Sequence, residues 1–166
     1  MGKTQSEINS YLSFKLSNEV FAAHVRSVLN ILELEKITQV PKSPIYMKGI
    51  INLRGVVLPV IDLRLKFGLS ETIYTDKTCI IVMEVHDNNE EILIGSLVDE
   101  VVSVMEYDNI DILSPPNLGN NYKSDFIDGV VTSNENIVMI LSIDKIFTNT
   151  ELSTLKESTN TTNINK

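Results

Sequence analysis

One pattern occurs twice in this chain, eighty residues apart. Gly49-Ile50-Ile51 through Asp62-Leu63 to Phe67 matches Gly129-Val130-Val131 through Ser142-Ile143 to Phe147 without a gap, each residue of the second copy lying 80 positions after its counterpart. Val57, Leu58, Val60 and Ile61 fall on Ile137, Val138, Ile140 and Leu141, and Asp62, suited to cap a helical turn, falls on Ser142, which is suited to the same task. Upstream the match loosens to a hairpin, then Val25-x-x-Val28 against Val98-x-x-Val101, then Pro41 and Pro44 against Pro115 and Pro116. Such self-similarity means one supersecondary unit built twice. The expectation is two similar subdomains, about 11–68 and 75–147, each closing a small barrel, because closure removes the exposed strand edges that two small sheets would otherwise carry.

The local pattern says what the unit is made of. Leu12, Phe14 and Leu16 alternate with Tyr11, Ser13 and Lys15, and β-branched runs follow at Gly49–Leu53, Val56–Ile61, Cys79–Val85, Ile92–Val98 and Ile137–Ile140. Turn residues separate them at Ser17-Asn18, Arg54-Gly55, Asp87-Asn88-Asn89 and Ser133-Asn134. Helices are short: Asp62 caps a turn over Leu63 to Phe67 that Gly68 ends, and Ser142 caps a C-terminal helix through Ile143, Ile146 and Phe147. The fold class is all-β, with short connecting helices and that C-terminal helix. The first ten residues and the tail from Ser158 are too polar to bury area against ordering, and are expected to be frayed.

Chemistry is sparse. A net charge of −8, from 22 acidic and 14 basic side chains, repels phosphate backbones and anionic headgroups, and aromatics are only 6% with no tryptophan, so nucleic acid is excluded as a partner. Arg64 and Lys66 read as a solvated helix face. His24 and His86 have no Cys, His or carboxylate partner at metal-ligand spacing, no serine sits in a Gly-x-Ser-x-Gly elbow, and seven glycines form no phosphate-cradling loop. Cys79, alone in the chain, reads as a small strand hydrophobe, and Asp62, Asp99 and Asp144 as turn and cap carboxylates. The expectation is a protein with no catalytic residues, no metal and no cofactor. With no signal-like leader and no run approaching 18 apolar residues, it is expected in the cytoplasm, meeting a membrane only through partners.

What remains is the segment Val40-Pro-Lys-Ser-Pro-Ile-Tyr-Met-Lys-Gly-Ile-Ile-Asn-Leu-Arg-Gly-Val-Val-Leu-Pro-Val-Ile-Asp-Leu-Arg-Leu-Lys-Phe67. It closely resembles the CheW family signature. Phe14-Lys-Leu, Glu19-Val-Phe-Ala, Gly95-Ser-Leu-Val-Asp-Glu-Val101, Asp128-Gly-Val and Ser142-Ile-Asp-Lys-Ile-Phe147 extend the resemblance across Tyr11 to Phe147, a single CheW-like domain over 11–147. The resemblance implies two five-stranded SH3-like β barrels packed together and an adaptor without catalysis. Such an adaptor links the cytoplasmic tip of chemoreceptors to the regulatory domain of a CheA-type histidine kinase. With no kinase or receiver sequence attached, the free adaptor is the form implied. Val28, Arg54, Val101 and Val104 match family positions that meet receptor, while Asn30 stands where an acidic residue is common; no residue is assigned to the kinase face. Two alternatives stay open: a paralogue serving another sensory kinase, and a small β-barrel ligand-binding or enzymatic domain using the cleft between barrels.

Overall fold

The structure, a computed structural model, describes residues 5–115 and 125–164, the side chains after Thr159 excepted. Ten strands are present: β1 (Ile8–Leu16), β2 (Glu19–His24), β3 (Val28–Glu33), β4 (Met47–Leu53), β5 (Val56–Asp62), β6 (Cys79–Asp87), β7 (Glu90–Val98), β8 (Glu100–Asp108), β9 (Ile127–Ser133) and β10 (Asn136–Leu141). Two α-helices, α1 (Leu63–Lys66) and α2 (Asn149–Ile164), and three 3-10 turns complete the chain.

The repeat recurs in the strand register, bulge included. In β4 and β5, Met47 faces Ile61 and Gly49 faces Val60, with a bulge between; in β9 and β10, Ile127 faces Leu141 and Gly129 faces Ile140, with the same bulge. The Asp62 amide donates to the Tyr46 carbonyl at 2.8 Å and the Ser142 amide to the Phe126 carbonyl at 2.7 Å. Both glycines are needed for one reason. A side chain at Gly49 would put its Cβ 2.1 Å from the Thr38 carbonyl oxygen, and one at Gly129 would put its Cβ 2.4 Å from an Ile112 methyl and 2.8 Å from the Leu113 oxygen. At each place a crossing segment pairs with the strand, Thr38 with Ile50 and Leu113 with Val130. Pro116 lies outside the described residues.

The assembly of the two copies differs from the expectation of contiguous subdomains. One sheet runs β8-β1-β2-β10-β9 and the other β3-β6-β7-β5-β4, so each joins the leading hairpin of one copy to the last three strands of the other. The parallel pairs β2 with β10 and β7 with β5 are the seams. The reason is in the links. Tight hairpins need positive φ, found at Ser17, Arg54 with Gly55, Asn88 with Asn89 and Asn134 with Glu135. No such residue occurs in the 3-10 turn Val25–Ser27 or at Asp99, so β2 passes on into β3, and β7 into β8, in the opposite sheet. Cutting the chain between copies would therefore dismantle both sheets.

The paired five-stranded sheets fit the SH3-like expectation, but neither closes: no ladder joins β8 to β9, or β3 to β4. The outer edges of β4 and β9 are partly covered by Thr38 and Leu113. Those of β3 and β8 have no ladder partner among the described residues.

Phe14, Leu16, Phe21, Ile61, Leu63, Ile81, Met83 and Leu141 form the main core, to which α2 adds Leu152 and Leu155. Burying side chains of this size contributes about 1.5–3 kcal/mol each. Asp62 caps α1 as expected, its carboxylate accepting the Arg64 and Leu65 amides at 3.0 and 3.4 Å and the Thr72 amide and hydroxyl at 3.0 and 2.7 Å. Ser142 makes no such cap, and the chain after it forms only the 3-10 turn Ile143–Lys145. The described part of the ends is structured where fraying is expected, and residues 1–4 and 165–166 of that expectation lie outside the described residues. β1 begins at Ile8, and the backbone of Glu7 accepts from Asn109 at 3.0 Å. α2 continues to Ile164, anchored by its two leucines, while the hydroxyls of Ser153, Thr154 and Ser158 satisfy themselves on carbonyls four residues back.

Candidate functional site

The two uncovered edges are the same strand of the repeat. Val28 on β3 lies opposite Met83, and Asn30 opposite Val82, with Leu29 bulged between. On β8, Val101 lies opposite Phe14 and Ser103 opposite Ser13, with Val102 bulged between. Val28 and Val101 are thus equivalent; each turns partly inward and packs on the main core. The bulge residues stand out, Leu29 51% and Val102 46% exposed, and the next outward positions, Ile31 and Val104, are 46% and 61% exposed. Four apolar side chains on two open edges are what a partner that adds a strand or covers an edge would meet.

Asn30 is half-buried and its Oδ1 accepts the Ile31 amide at 2.9 Å. Arg54 sits at the tip of the β4–β5 hairpin, at the opposite end of the strand order from β3, and Asn30 and Arg54 share no hydrogen bond or ion pair. Its φ is 52° and its backbone is held by a turn in which the Gly55 amide donates to Asn52 Oδ1 at 2.8 Å. The guanidinium is exposed and makes no ion pair or hydrogen bond among the described residues, so its donor fork faces outward for a partner. Sequence reasoning missed Leu29, Ile31 and Val102. Where two apolar residues follow one another, as in Val28-Leu29 and Val101-Val102, the pattern cannot say which one faces out; the bulge decides it.

Beside the edges, several polar residues depart from their sequence readings. Arg64 is paired with Asp99, Nε to Oδ1 at 2.8 Å and Nη2 to Oδ2 at 2.5 Å. Lys66 lies 3.0 Å from a Glu151 carboxylate oxygen and over the rings of Tyr46 and Phe147. Neither is a solvated face. Burial and the neighbouring Glu151 carboxylate push the Tyr46 hydroxyl up to about 12. Burial also pushes the Cys79 thiol up, against the opposing Val101 amide, as suits a packed strand cysteine. His24 is held between the Asn9 side chain at 3.0 Å and the Arg26 amide at 3.1 Å. His86 is not without carboxylate neighbours: Glu84, Glu91 and Asp144 surround it.

A model of the CheW-like domain matches residues 10–151, most of the chain. The chain belongs to the CheW family. Its relatives include the chemotaxis protein CheW of Klebsiella aerogenes, 28% identical over 142 residues that cover 86% of this chain and 83% of that one. The Helicobacter pylori protein of the same name is 30% identical over 141 residues, covering 84% and 82%. The Bacillus subtilis protein is 40% identical over 103 residues, covering 62% and 64%. Among solved structures, the scaffolding protein TtCheW from Thermoanaerobacter tengcongensis superposes with a TM-score of 0.76 at 26% identity, covering 87% of this chain and 96% of that one. As a CheW-family member this chain is a non-catalytic adaptor of chemotaxis signalling. No described helix is long and apolar enough to cross a membrane.

Proposed function

We propose that this adaptor couples the cytoplasmic tip of a chemoreceptor to the regulatory domain of a CheA-type histidine kinase. It works in the cytoplasm, recruited to membrane-associated arrays through those partners, and as one unit spanning about 11–147. Val28, Asn30, Val101 and Val104 on the open edges, with Arg54 at the hairpin tip, form its receptor-facing surface. The observation that carries this reading is that, among the described residues, β3 and β8 have no covering segment while β4 and β9 do, and both β3 and β8 present apolar side chains outward. An adaptor needs faces that are unsatisfied until partners arrive, and two equivalent ones fit a bridge. Asn30 in place of an acid leaves the Arg54 guanidinium without an anionic partner among the described residues.

The test is co-sedimentation with receptor-containing membranes and receptor-dependent kinase activation, for the parent, Arg54→Ala and Val104→Lys. Both variants alter exposed groups and are expected to melt with the parent. Arg54→Ala should weaken receptor binding about thirtyfold, an interface arginine being worth about 2 kcal/mol. Unchanged binding by both variants would remove these residues from the site, and recovery of a different sensory kinase would show a paralogous system.

A further inference from the structure

On the β6–β7 hairpin, beside the start of β3, the fold assembles a ligand set that no sequence spacing announces. Glu84 and His86 are two residues apart on β6 and share a face; Glu91 on β7 is the cross-strand neighbour of His86. One donor atom from each of the three lies within 4.8 Å of the others. His86 Nε2 is 3.1 Å from Glu84 Oε1 and 3.9 Å from Glu91 Oε1.

The other side of the ring is held by a group outside the hairpin. Asp144, in the 3-10 turn after β10, accepts the His86 backbone amide at 2.8 Å with the same oxygen that lies 3.5 Å from Nδ1. With its proton on Nδ1, on the side of that carboxylate, the ring would present the Nε2 lone pair on the side of the two glutamates. A carboxylate behind a histidine is the usual way a metal-ligating imidazole is oriented. Arg26 and Ser27 line the same hollow. Three carboxylates against one guanidinium leave a formal −2, which a dication neutralises.

We propose that Glu84, His86 and Glu91 bind one divalent transition metal, with Asp144 as the positioning residue and water completing the coordination. An imidazole nitrogen with two carboxylate oxygens suits Zn²⁺ or Co²⁺, and the nitrogen selects against Mg²⁺ and Ca²⁺, which prefer all-oxygen sites. The competing state is a protonated His86 paired with the same carboxylates, and the two states exclude each other at Nε2.

Calorimetric titration of the metal-free full chain with ZnCl₂, at pH 7.5 and 0.15 M NaCl, separates them. One saturable equivalent is expected, with affinity at least tenfold lower in His86→Gln and in Glu91→Gln and several-fold lower in Asp144→Asn. His24→Gln, which changes the other histidine, should bind as the parent does. The His86 ring is more than half exposed, so the variant should fold, and a circular dichroism melt checks that it has. Zn²⁺ should raise the parent's melting temperature and leave that of His86→Gln unmoved. CoCl₂ should give a single visible absorption band that excess MgCl₂ does not displace. Binding that survives His86→Gln intact, many weak equivalents spread over the acidic surface, or no saturable binding would each overturn the site.

Discussion

Replacing Asp99 by alanine should be among the costliest changes available outside the apolar core. Asp99 sits where β7 runs on into β8 and ties three elements together: its carboxylate accepts from both Nε and Nη2 of Arg64 after α1 begins, accepts the Ser17 amide at 2.8 Å, and its own amide donates to the Lys15 carbonyl at 3.0 Å. Arg64 follows β5 in one sheet and Ser17 turns β1 into β2 in the other, so the carboxylate stitches the two sheets at their crossover. The side chains are 13% and 16% exposed, so alanine leaves a nearly buried guanidinium unpaired. Breaking a buried pair from one side costs about 3–5 kcal/mol, and residual solvent access puts this one at about 3 kcal/mol. The stranded Ser17 amide adds about 1 kcal/mol. For a domain of this size the sum corresponds to a fall of about 10 °C in melting temperature. Arg64→Ala should cost less, about 2 kcal/mol, because the carboxylate keeps the Ser17 amide. A urea-denaturation cycle over both single variants and the double variant should then give a coupling of about 2 kcal/mol. Losses under about 1 kcal/mol for Asp99→Ala, or strict additivity in the double variant, would show that the pair does not hold the sheets together.

Gly49→Ala should unfold the chain more readily than Gly129→Ala, because the first clash is with backbone oxygen and the second begins with a side-chain methyl that can turn; equal melting temperatures would contradict the crossing-segment account. Val60, fully buried, should lose about 2 kcal/mol on Val60→Ala and bind receptor less only in proportion, whereas Arg54→Ala should stay within about 0.5 kcal/mol of the parent. His24 is held below its usual pKa by burial first and by Arg26 second. A histidine depressed in the fold favours the native state while neutral, so that stability is whole above about pH 6.5 and is lost as pH falls through that value toward the lower folded pKa. Urea midpoints from pH 7.5 to 5.5 should therefore fall more steeply in the parent than in His24→Gln, and parallel slopes would refute the assignment.

The repeat was legible because its constraints are local. A glycine where another segment crosses, a bulge of fixed position and a two-residue turn each need particular residues at particular spacing, and Gly49–Phe67 and Gly129–Phe147 keep them all. The exchange of hairpins was not, because nothing in β1 or β6 distinguishes the strands of its own copy from those of the other; only the absence of positive φ at Val25–Ser27 and Asp99 directs the chain across. The edges show the same divide. Val28 and Val101 are proposed from a motif, while the outward Leu29, Ile31 and Val102 depend on bulges that composition does not mark. The His86 cluster was half visible. Glu84-x-His86 is plain in the sequence, and the turn at Asn88-Asn89 fixes His86 opposite Glu91, but Asp144 reaches the ring from 58 residues away.

Kinase phosphorylation measured in a mixture of receptor membranes, a CheA-type histidine kinase and this chain puts the adaptor role to the proof. Receptor control of the kinase should require the chain, rise with its amount until it matches the receptor and kinase sites, and fail with the Arg54→Ala and Val104→Lys variants at concentrations that saturate the parent. A kinase that responds to receptor equally well without the chain, or a chain that binds neither component, would contradict the account.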